Sequence, residues 1–383
     1  MIRILHFASV INRYDFIDTV LTDLDRSRFD LSALTVVPAA NRKGEYSDLE
    51  RYDSRCLNIE FTRRNFPRIY SELKKEIKRF RPHILQTHHF DETLMGTAAA
   101  KLLGVPALVI GHHYSNLIHV LTKGLKRSAY LQLESICNYF ADRIVVPTQE
   151  VVDVLQNQGV EGRKIAKIAY GTNLDMLQGT STANLQAIRS TFSLEGKFVA
   201  LTCCRLDRAK GIDYVLRGLP EIAAKYPLFR LVIVGTGPEE ERLRKIREEL
   251  KLEEAVQFIG WRTDALDWYS AADVVIQPSF SESFGQVVTE ALAVKRPVIV
   301  TSVGVAPEII VSGERGGYLI PFADSKAIVA AISKLIENPE LGPRLADSGH
   351  AYVNDSMSAE ITAKKYEDLY LQIIAEKGMD TAE

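Results

Sequence analysis

Two carboxylates, Glu282 and Glu290, lie in the densest run of chemically capable residues in the chain, Gln277-Pro-Ser-Phe-Ser-Glu-Ser-Phe-Gly-Gln-Val-Val-Thr-Glu290. An apolar, strand-like run ends at Gln277, a Ser/Gly-rich turn follows, and helix-period residues resume near Gly285. Turn amides and a helix N-terminus then point at one place, with the partial positive charge that suits a phosphate. At ~1.5 Å rise per residue, Glu290 lies roughly 7–8 Å along the axis from that N-terminus. Carboxylates repel phosphate but bond well to sugar hydroxyls, so the pair fits a ligand of the form sugar–phosphates–ribose. Spacing alone leaves a plainer alternative, with Glu282 a cap and Glu290 a solvated helix residue.

A second cluster, Cys203-Cys-Arg-Leu-Asp-Arg-Ala-Lys-Gly211, follows another strand-like run. Arg205 and Lys210 bracket a turn that opens a helix, a clamp for a diphosphate that needs no metal. Cations placed where a leaving nucleoside diphosphate develops charge stabilise its departure. Arg208 reads as a solvated loop residue, and Cys203 and Cys204 as core at a strand end. Val234-Gly-Thr-Gly-Pro238 begins like a dinucleotide fingerprint, but Glu240 stands where the third glycine belongs, so NAD is a weak reading. The motif is expected to form a tight strand-to-helix turn, with Gly237 among the substrate-binding residues.

Histidines gather in the first half: His83, His88, His89, His112, His113 and His119. His88 and His89 end one strand and His112 and His113 another, so both pairs are expected to face the ligand side. No HExxH or His-x₃-His spacing suggests zinc. Asp23-Leu-Asp25 has the form of a metal–nucleotide motif but falls at an early helix end and reads as surface. The four cysteines, Cys56, Cys137, Cys203 and Cys204, show no CxxC spacing, against both a zinc ribbon and a disulfide framework.

The elements that must position these residues alternate along all 383 residues. In the first half, strands are expected at Ile2–Phe7, Leu31–Val37, Ile84–Thr87, Ala107–Ile110, Arg143–Val146 and Ile165–Ala169. Helices between them are expected at Phe66–Phe80, Thr93–Leu103, Lys126–Phe140 and Glu150–Asn157. After a polar linker, Asp175–Ala183, the pattern restarts. Its strands are Phe198–Cys203, Leu231–Val234, Val256–Ile259, Asp273–Gln277, Val298–Val300 and Tyr318–Ile320. Its helices include Ile212–Tyr226, Glu239–Leu250, Lys326–Glu337, Leu341–Tyr352 and Ala359–Ala375. Such alternation builds βαβ units on parallel sheets, and ligands of doubly wound sheets sit beyond the carboxyl ends of the strands.

Composition agrees: 46% hydrophobic and 25% charged residues are those of a globular chain long enough for two cores. Net charge is −2. Residues 1–170 nevertheless carry 24 Lys and Arg against 19 Asp and Glu, so the remainder is acidic. Arg63, Arg64, Arg68, Lys74, Lys75, Lys78, Arg79 and Arg81 are offset only by Glu72 and Glu76. The stretch is either a solvated helix face or a surface for anionic lipid or an acidic acceptor. No nucleic-acid-binding module accompanies it. The chain opens on an apolar strand without a charged leader, and no run approaches the ~20 apolar residues of a membrane span. A cytoplasmic protein is expected, with the inner membrane face as a peripheral site.

Taken together, these blocks resemble the retaining glycosyltransferases of family 4, which have the two-domain GT-B architecture. Glu282 and Glu290 match the family's E-x₇-E signature inside PSFSESFGQVVTEALAVKRPVIVT, and CCRLDRAKGID, VIVGTGPE, VQFIGW and TSVGVAPEII follow the family's order. IGHHYSN, DRIVVPTQEVV and IAYGTNLD resemble its first-domain blocks. The resemblance implies an acceptor-side domain over residues 1–175, a donor domain over 184–358, and a last helix, about 359–383, packed back on the first domain. It implies that Arg205 and Lys210 hold the donor diphosphate and that Glu290 binds the ribose. Glu282, with the amides of Ser283, Phe284 and Gly285, would hold the transferred sugar, and Phe258 would lie where the base is received. His113 matches the family's histidine near the sugar, with His112 beside it as the alternative. Two departures stand out: Phe7–Tyr14 lacks the usual glycine loop, leaving Asn12 or Arg13 as substitutes, and Val305 follows Gly304 where a second glycine is common.

The activity implied is metal-independent, retaining transfer from a nucleotide-sugar, most simply a UDP-sugar. The acceptor would be a lipid-linked or surface-polysaccharide precursor, a free glycan or a small molecule. Retention would follow front-face attack, with the departing diphosphate taking the acceptor proton, and no cofactor is implied. An epimerase or phosphorylase on the same fold, and a non-catalytic nucleotide-sugar-binding subunit, are the alternatives.

Overall fold

The structure is a computed structural model that describes residues 1–9, 16–38, 53–113, 124–173 and 181–379. It divides into two compact units, Met1–Gly171 with Ala359–Glu383, and Thr172–Ser358.

In the first unit, strands β1 (Ile2–Ala8), β2 (Phe29–Val36), β3 (Asp53–Leu57), β4 (Ile84–His88), β5 (Ala107–Gly111), β6 (Arg143–Val146) and β7 (Ile165–Lys167) form one sheet. Its order is β3-β2-β1-β4-β5-β6-β7, and every pairing is parallel. Helices α1 (Phe16–Asp23), α2 (Phe66–Phe80), α3 (Phe90–Leu103), α4 (Gly124–Phe140) and α5 (Gln149–Asn157) connect them. Along α2 the residues Ile69, Leu73, Ile77 and Phe80 recur at helical spacing and bury against Leu5, Leu34 and Leu85 of the sheet.

The second unit repeats the plan with β8 (Phe198–Cys203), β9 (Phe229–Val234), β10 (Val256–Gly260), β11 (Val274–Gln277), β12 (Val298–Thr301) and β13 (Gly317–Ile320). These pair in parallel in the order β10-β9-β8-β11-β12-β13. Its helices are α6 (Thr182–Thr191), α7 (Ile212–Lys225), α8 (Glu240–Glu249), α9 (Ala265–Ala271), α10 (Gln286–Ala293), α11 (Ala306–Ile309), α12 (Ser325–Glu337) and α13 (Leu341–Met357). Ile212, Val215, Leu216, Leu219 and Ile222 of α7 form the apolar face over Ala200, Leu231 and Ile233. The last helix, α14 (Ala359–Glu376), belongs to the first unit. There the Tyr370 hydroxyl donates to Gln86 Oε1 at 2.6 Å, and Glu367 accepts from the Asp25 amide at 2.9 Å.

Both sheets therefore reverse direction once, between β1 and β4 and between β8 and β11, and doubly wound sheets bind ligands at such points. Four elements lie outside the sequence expectation. β3 has no apolar run because it is an edge strand, paired only to β2, and its Arg55 reaches Glu72 and Glu76 of α2. The expected linker Asp175–Ala183 overlaps α6, whose Ser181 cap accepts from the Asn184 amide at 3.1 Å, while 174–180 lie outside the described residues. The short α9 and α11 have too few turns for periodicity to register.

Candidate functional site

The turn after β8 and the turn after β11 meet at the switch point of the second sheet. The first passes through Arg205, forms a 3₁₀ turn over Arg208–Lys210, and enters α7 through Gly211 at φ 64°. A Cβ on Gly211 would stand 2.3 Å from the Pro278 carbonyl oxygen, so only glycine lets the two turns lie backbone to backbone. The Phe280 amide donates to the Ala209 carbonyl at 2.6 Å, closing the contact.

That contact delivers Lys210 to Glu282. Lys210 Nζ donates to Glu282 Oε1 at 2.6 Å, and the Gln277 side-chain amide donates to the same oxygen at 2.6 Å. Lys210 and Glu282 keep 20% and 14% of their side-chain exposure, enough for a ligand to reach them. Arg205 is exposed on the preceding turn. Arg208 points to solvent with Glu239 3.5 Å away, as expected of a loop residue.

Ser283, Phe284 and Gly285 lead into α10, Phe284 with its ring buried and Gly285 at φ 88°. The Val305 amide donates to the Phe284 carbonyl at 2.7 Å, and Val305 itself is buried at φ −81°. A negative φ and a filled core position explain why valine rather than glycine stands there. One turn into α10, Glu290 shares a hydrogen bond with the buried Tyr269 hydroxyl. Enclosure raises the Glu290 carboxyl above its usual range, against the opposing pull of the Tyr269 hydrogen bond. Burial pushes the thiols of Cys203 and Cys204 up to about 12, which keeps them protonated and inert.

Two expectations change here. Phe258 is engaged by α8: Arg244 and Arg247 stack on its ring at 4.5 and 5.7 Å from the centroid, and the ring stays half-buried. It packs α8 onto the sheet. Gly237 faces the backbone of Leu206, whose carbonyl oxygen would lie 2.3 Å from an added Cβ. The glycine lets the turns after β8 and β9 close on each other, with the Leu206 amide donating to Thr236 O at 3.0 Å.

In the first unit the histidines follow the ends of β4 and β5: His88 and His89 both set their rings against His113, while His112 takes a different partner. His113 turns inward: its Nε2 is 3.0 Å from His88 Nδ1, and its Nδ1 is 2.8 Å from the Tyr170 hydroxyl. His88 Nε2 is 3.1 Å from His6 Nδ1, which completes a buried line of three imidazoles and a phenol. Burial pushes His6 down to about 3 and holds His88 and His113 well below the usual histidine range, so the line is neutral. His112 instead meets the buried Glu134 of α4, Nε2 to Oε1 at 2.9 Å. His89 starts α3 at φ 65°. Asn12, Arg13 and His119 lie outside the described residues; before them, the Ser9 amide donates to Glu92 Oε1 at 2.8 Å. Asp25 accepts from the amide and hydroxyl of Ser27, a turn rather than a metal motif.

The basic stretch divides. Lys75 pairs with Glu72 and Arg79 with the buried Glu76, while Arg63 donates to the Tyr130 hydroxyl of α4 at 2.9 Å. Arg64, Arg68, Lys78 and Arg81 are exposed. Gln277, Tyr269, His6 and Tyr170 join the site clusters without having stood out in the sequence as site residues. Gln277 alone carried a signal, as the polar last residue of an apolar strand directly before Pro278. Among the described residues no group of three or more His, Cys, Asp or Glu side chains could hold a metal ion, and no helix is long and apolar enough to cross a membrane.

Known proteins resemble this chain in sequence and in fold. Residues 19–176 match the family described as Glycosyltransferase Family 4, and residues 186–351 the one described as Glycosyl transferases group 1. The alpha-monoglucosyldiacylglycerol synthase of Acholeplasma laidlawii is 25% identical over 319 residues, 79% of each chain. The D-inositol 3-phosphate glycosyltransferase of Corynebacterium jeikeium is 31% identical over 243 residues, 60% of this chain and 58% of its own. The crystal structure of Anabaena HepE in complex with UDP-glucose superposes with a TM-score of 0.83 at 18% identity, covering 97% of this chain and all of that one. Two tandem family matches over most of the chain, on two parallel Rossmann-like sheets, make this protein a glycosyltransferase of family 4 with the GT-B fold.

Proposed function

We propose that the enzyme is a metal-independent, retaining glycosyltransferase that takes its sugar from a UDP-sugar. Arg205 and Lys210 bind the diphosphate, Glu282 with the Ser283–Gly285 turn holds the sugar, and Glu290 meets the ribose. The observation that carries this reading is the direct contact of Lys210 with Glu282 at a topological switch point. A cation and a carboxylate side by side suit the junction of a phosphate and a sugar. HepE, bound to UDP-glucose, supports uridine as the base. Phe258 is left out of the base site because its half-buried ring is engaged by Arg244 and Arg247 of α8.

In the reaction the bond from the anomeric carbon to the diphosphate oxygen breaks and a bond to the acceptor oxygen forms on the same face. The acceptor proton passes to the departing diphosphate. Arg205 and Lys210 stabilise the charge that develops there, which accounts for most of the acceleration. His113, neutral and engaged at both ring nitrogens, acts as a fixed wall and not as a proton carrier.

A lipid-linked acceptor is the favoured class. The Acholeplasma laidlawii relative is named for a glucosyl diacylglycerol, and the exposed cations of Arg63–Arg81 suit an anionic membrane face. The site would then work peripherally at the cytoplasmic surface.

A thermal-shift series with UDP, GDP, ADP, CMP and their sugar conjugates in EDTA tests the donor half. A ligand at ~100 times its dissociation constant adds about 2.7 kcal/mol. A UDP-selective shift that Lys210→Ala abolishes is expected. A shift with no nucleotide would overturn the donor site and favour the non-catalytic subunit. Release of free sugar or sugar phosphate without transfer would favour the epimerase or phosphorylase.

A further inference from the structure

Helix α4 is built inside out. At 100° per residue, Leu125, Ala129, Leu133, Ile136, Tyr139 and Phe140 fall within an arc of about 120°. That apolar stripe faces solvent: Leu125 is 91% exposed, Tyr139 74% and Ile136 52%. The side turned into the unit is polar instead, with Glu134, Cys137 and Asn138 buried. The inversion has a local cause, because the buried His112 takes Glu134 as its partner and so draws the helix's polar face inward. A large apolar face left open in this way marks an interaction surface.

Charge identifies the occupant. The one acidic residue of α4 is Glu134, which is buried, so the exposed face carries none. Lys126 is exposed in its first turn, next to the edge of the stripe. Lys101 lies over the Phe140 ring at 5.1 Å and Lys164 over the Tyr139 ring at 5.7 Å. Arg63 reaches Tyr130, joining the Arg63–Arg81 stretch to the same helix. A second copy of the chain would oppose cations to cations. An apolar stripe rimmed by Lys and Arg fits acyl chains below and anionic headgroups around it.

We infer that α4 is a monotopic membrane-docking helix that lies in the interface of an anionic lipid surface. This deepens the lipid-acceptor reading and assigns the contact to a helix that the basic stretch alone does not reveal. Lys101, Lys126 and Lys164 engage headgroup phosphates while Leu133, Ile136 and Phe140 enter the acyl boundary.

The test is co-sedimentation of the full chain with vesicles of phosphatidylglycerol and phosphatidylcholine, compared with phosphatidylcholine alone. L133D/I136D should lower partitioning on anionic vesicles by at least ~100-fold. K101Q/K126Q should lower it about five-fold per charge. All four positions are solvent-exposed, so the melting temperature and the UDP-induced shift should stay at wild-type values. Absence of vesicle binding, equal binding to neutral vesicles, or wild-type binding by L133D/I136D would each overturn the inference. So would a dimer in lipid-free sedimentation that L133D/I136D converts to monomer, since the occupant would then be a second copy. Vesicle binding without any nucleotide shift would overturn the donor site and leave the docking helix standing.

Discussion

Replacing Glu282 by glutamine should make UDP bind more tightly while transfer nearly stops. In the free enzyme Lys210 Nζ and the Gln277 amide both donate to Glu282 Oε1 at 2.6 Å, so the cation assigned to the diphosphate is already engaged. A diphosphate must break or share that contact. Glutamine keeps the shape and still accepts from the Lys210 ammonium, but it removes the opposite charge, so the part no longer lost when Lys210 turns to the ligand is the charge–charge contribution of a partly exposed pair, roughly 0.2–1 kcal/mol. That corresponds to a Kd for UDP lower by about 1.5–5-fold. The carboxylate's repulsion of the phosphates acts in the same direction.

Transfer should respond oppositely. Glu282 is the group assigned to the sugar, and removing one preorganised charged contact of this kind costs ~10²–10³ in kcat. Calorimetric titration with UDP, alongside initial rates with a UDP-sugar, reads both quantities. Lys210→Met supplies the control, because in that background E282Q should no longer tighten UDP. Unchanged or weaker UDP binding by E282Q would refute the reasoning, since Lys210 would then not be the group released to the diphosphate.

Three further outcomes follow from buried groups and one backbone contact. The raised Glu290 carboxyl keeps its proton in the folded protein to higher pH than in the unfolded chain, so the stability it contributes is present in acid and lost as pH rises above 4.5 through the folded value. E290Q removes that loss, so its melting-temperature gain over wild type should grow toward neutral pH while donor binding weakens; a gain that is flat with pH would refute it. For His6 the sign is reversed: its folded value of about 3 lies below 6.5, so stability is lost as pH falls between them, by about 1.4 kcal/mol per pH unit. His6→Phe should reduce the slope of stability against pH in that window by one proton, and an unchanged slope would mean that the ring titrates freely. Gly211→Ala places a Cβ 2.3 Å from the Pro278 carbonyl oxygen at φ 64° and should cost ~2 kcal/mol or more, with loss of the UDP shift. A wild-type melting curve would refute that account of the turn.

Much of the donor half is legible in the sequence because its determinants are local. β-branched runs mark every strand of the two sheets except the edge strand β3 to within a few residues, and the glycines at 211 and 285 mark the turns where φ is positive. The approach of Lys210 to Glu282 is not local, since 72 residues separate them and only the adjacency of β8 and β11 unites them. Phe258 shows the opposite failure. Its place in the motif order suggested a base site, but Arg244 and Arg247 of α8 engage its half-buried ring. The histidine pairs behave differently from each other: His88 and His89 both meet His113, whereas His112 turns to Glu134 of α4, a partner that adjacency in sequence does not foretell.

Helix α4 sets a limit of another kind. Hydrophobic periodicity predicts its span closely, Lys126–Phe140 against Gly124–Phe140, and does so because an apolar stripe exists. Periodicity says nothing of which side the stripe faces. That choice is tied here to a buried polar pair: His112 meets Glu134 at 2.9 Å, and the cost of leaving both unpaired in the core offsets part of what the exposed stripe forfeits. An exposed aliphatic side chain forfeits roughly 1.5–3 kcal/mol, and burial of those side chains elsewhere is what recovers it. His112→Phe combined with Glu134→Leu should therefore remove the reason for the inversion. If the helix then rolls its stripe inward, Tyr139 and Ile136 lose their exposure, measurable as protection of cysteines placed at those positions from thiol labelling. Cysteines that remain fully reactive in that background would show that the orientation of α4 is held by its neighbours and not by the His112–Glu134 pair.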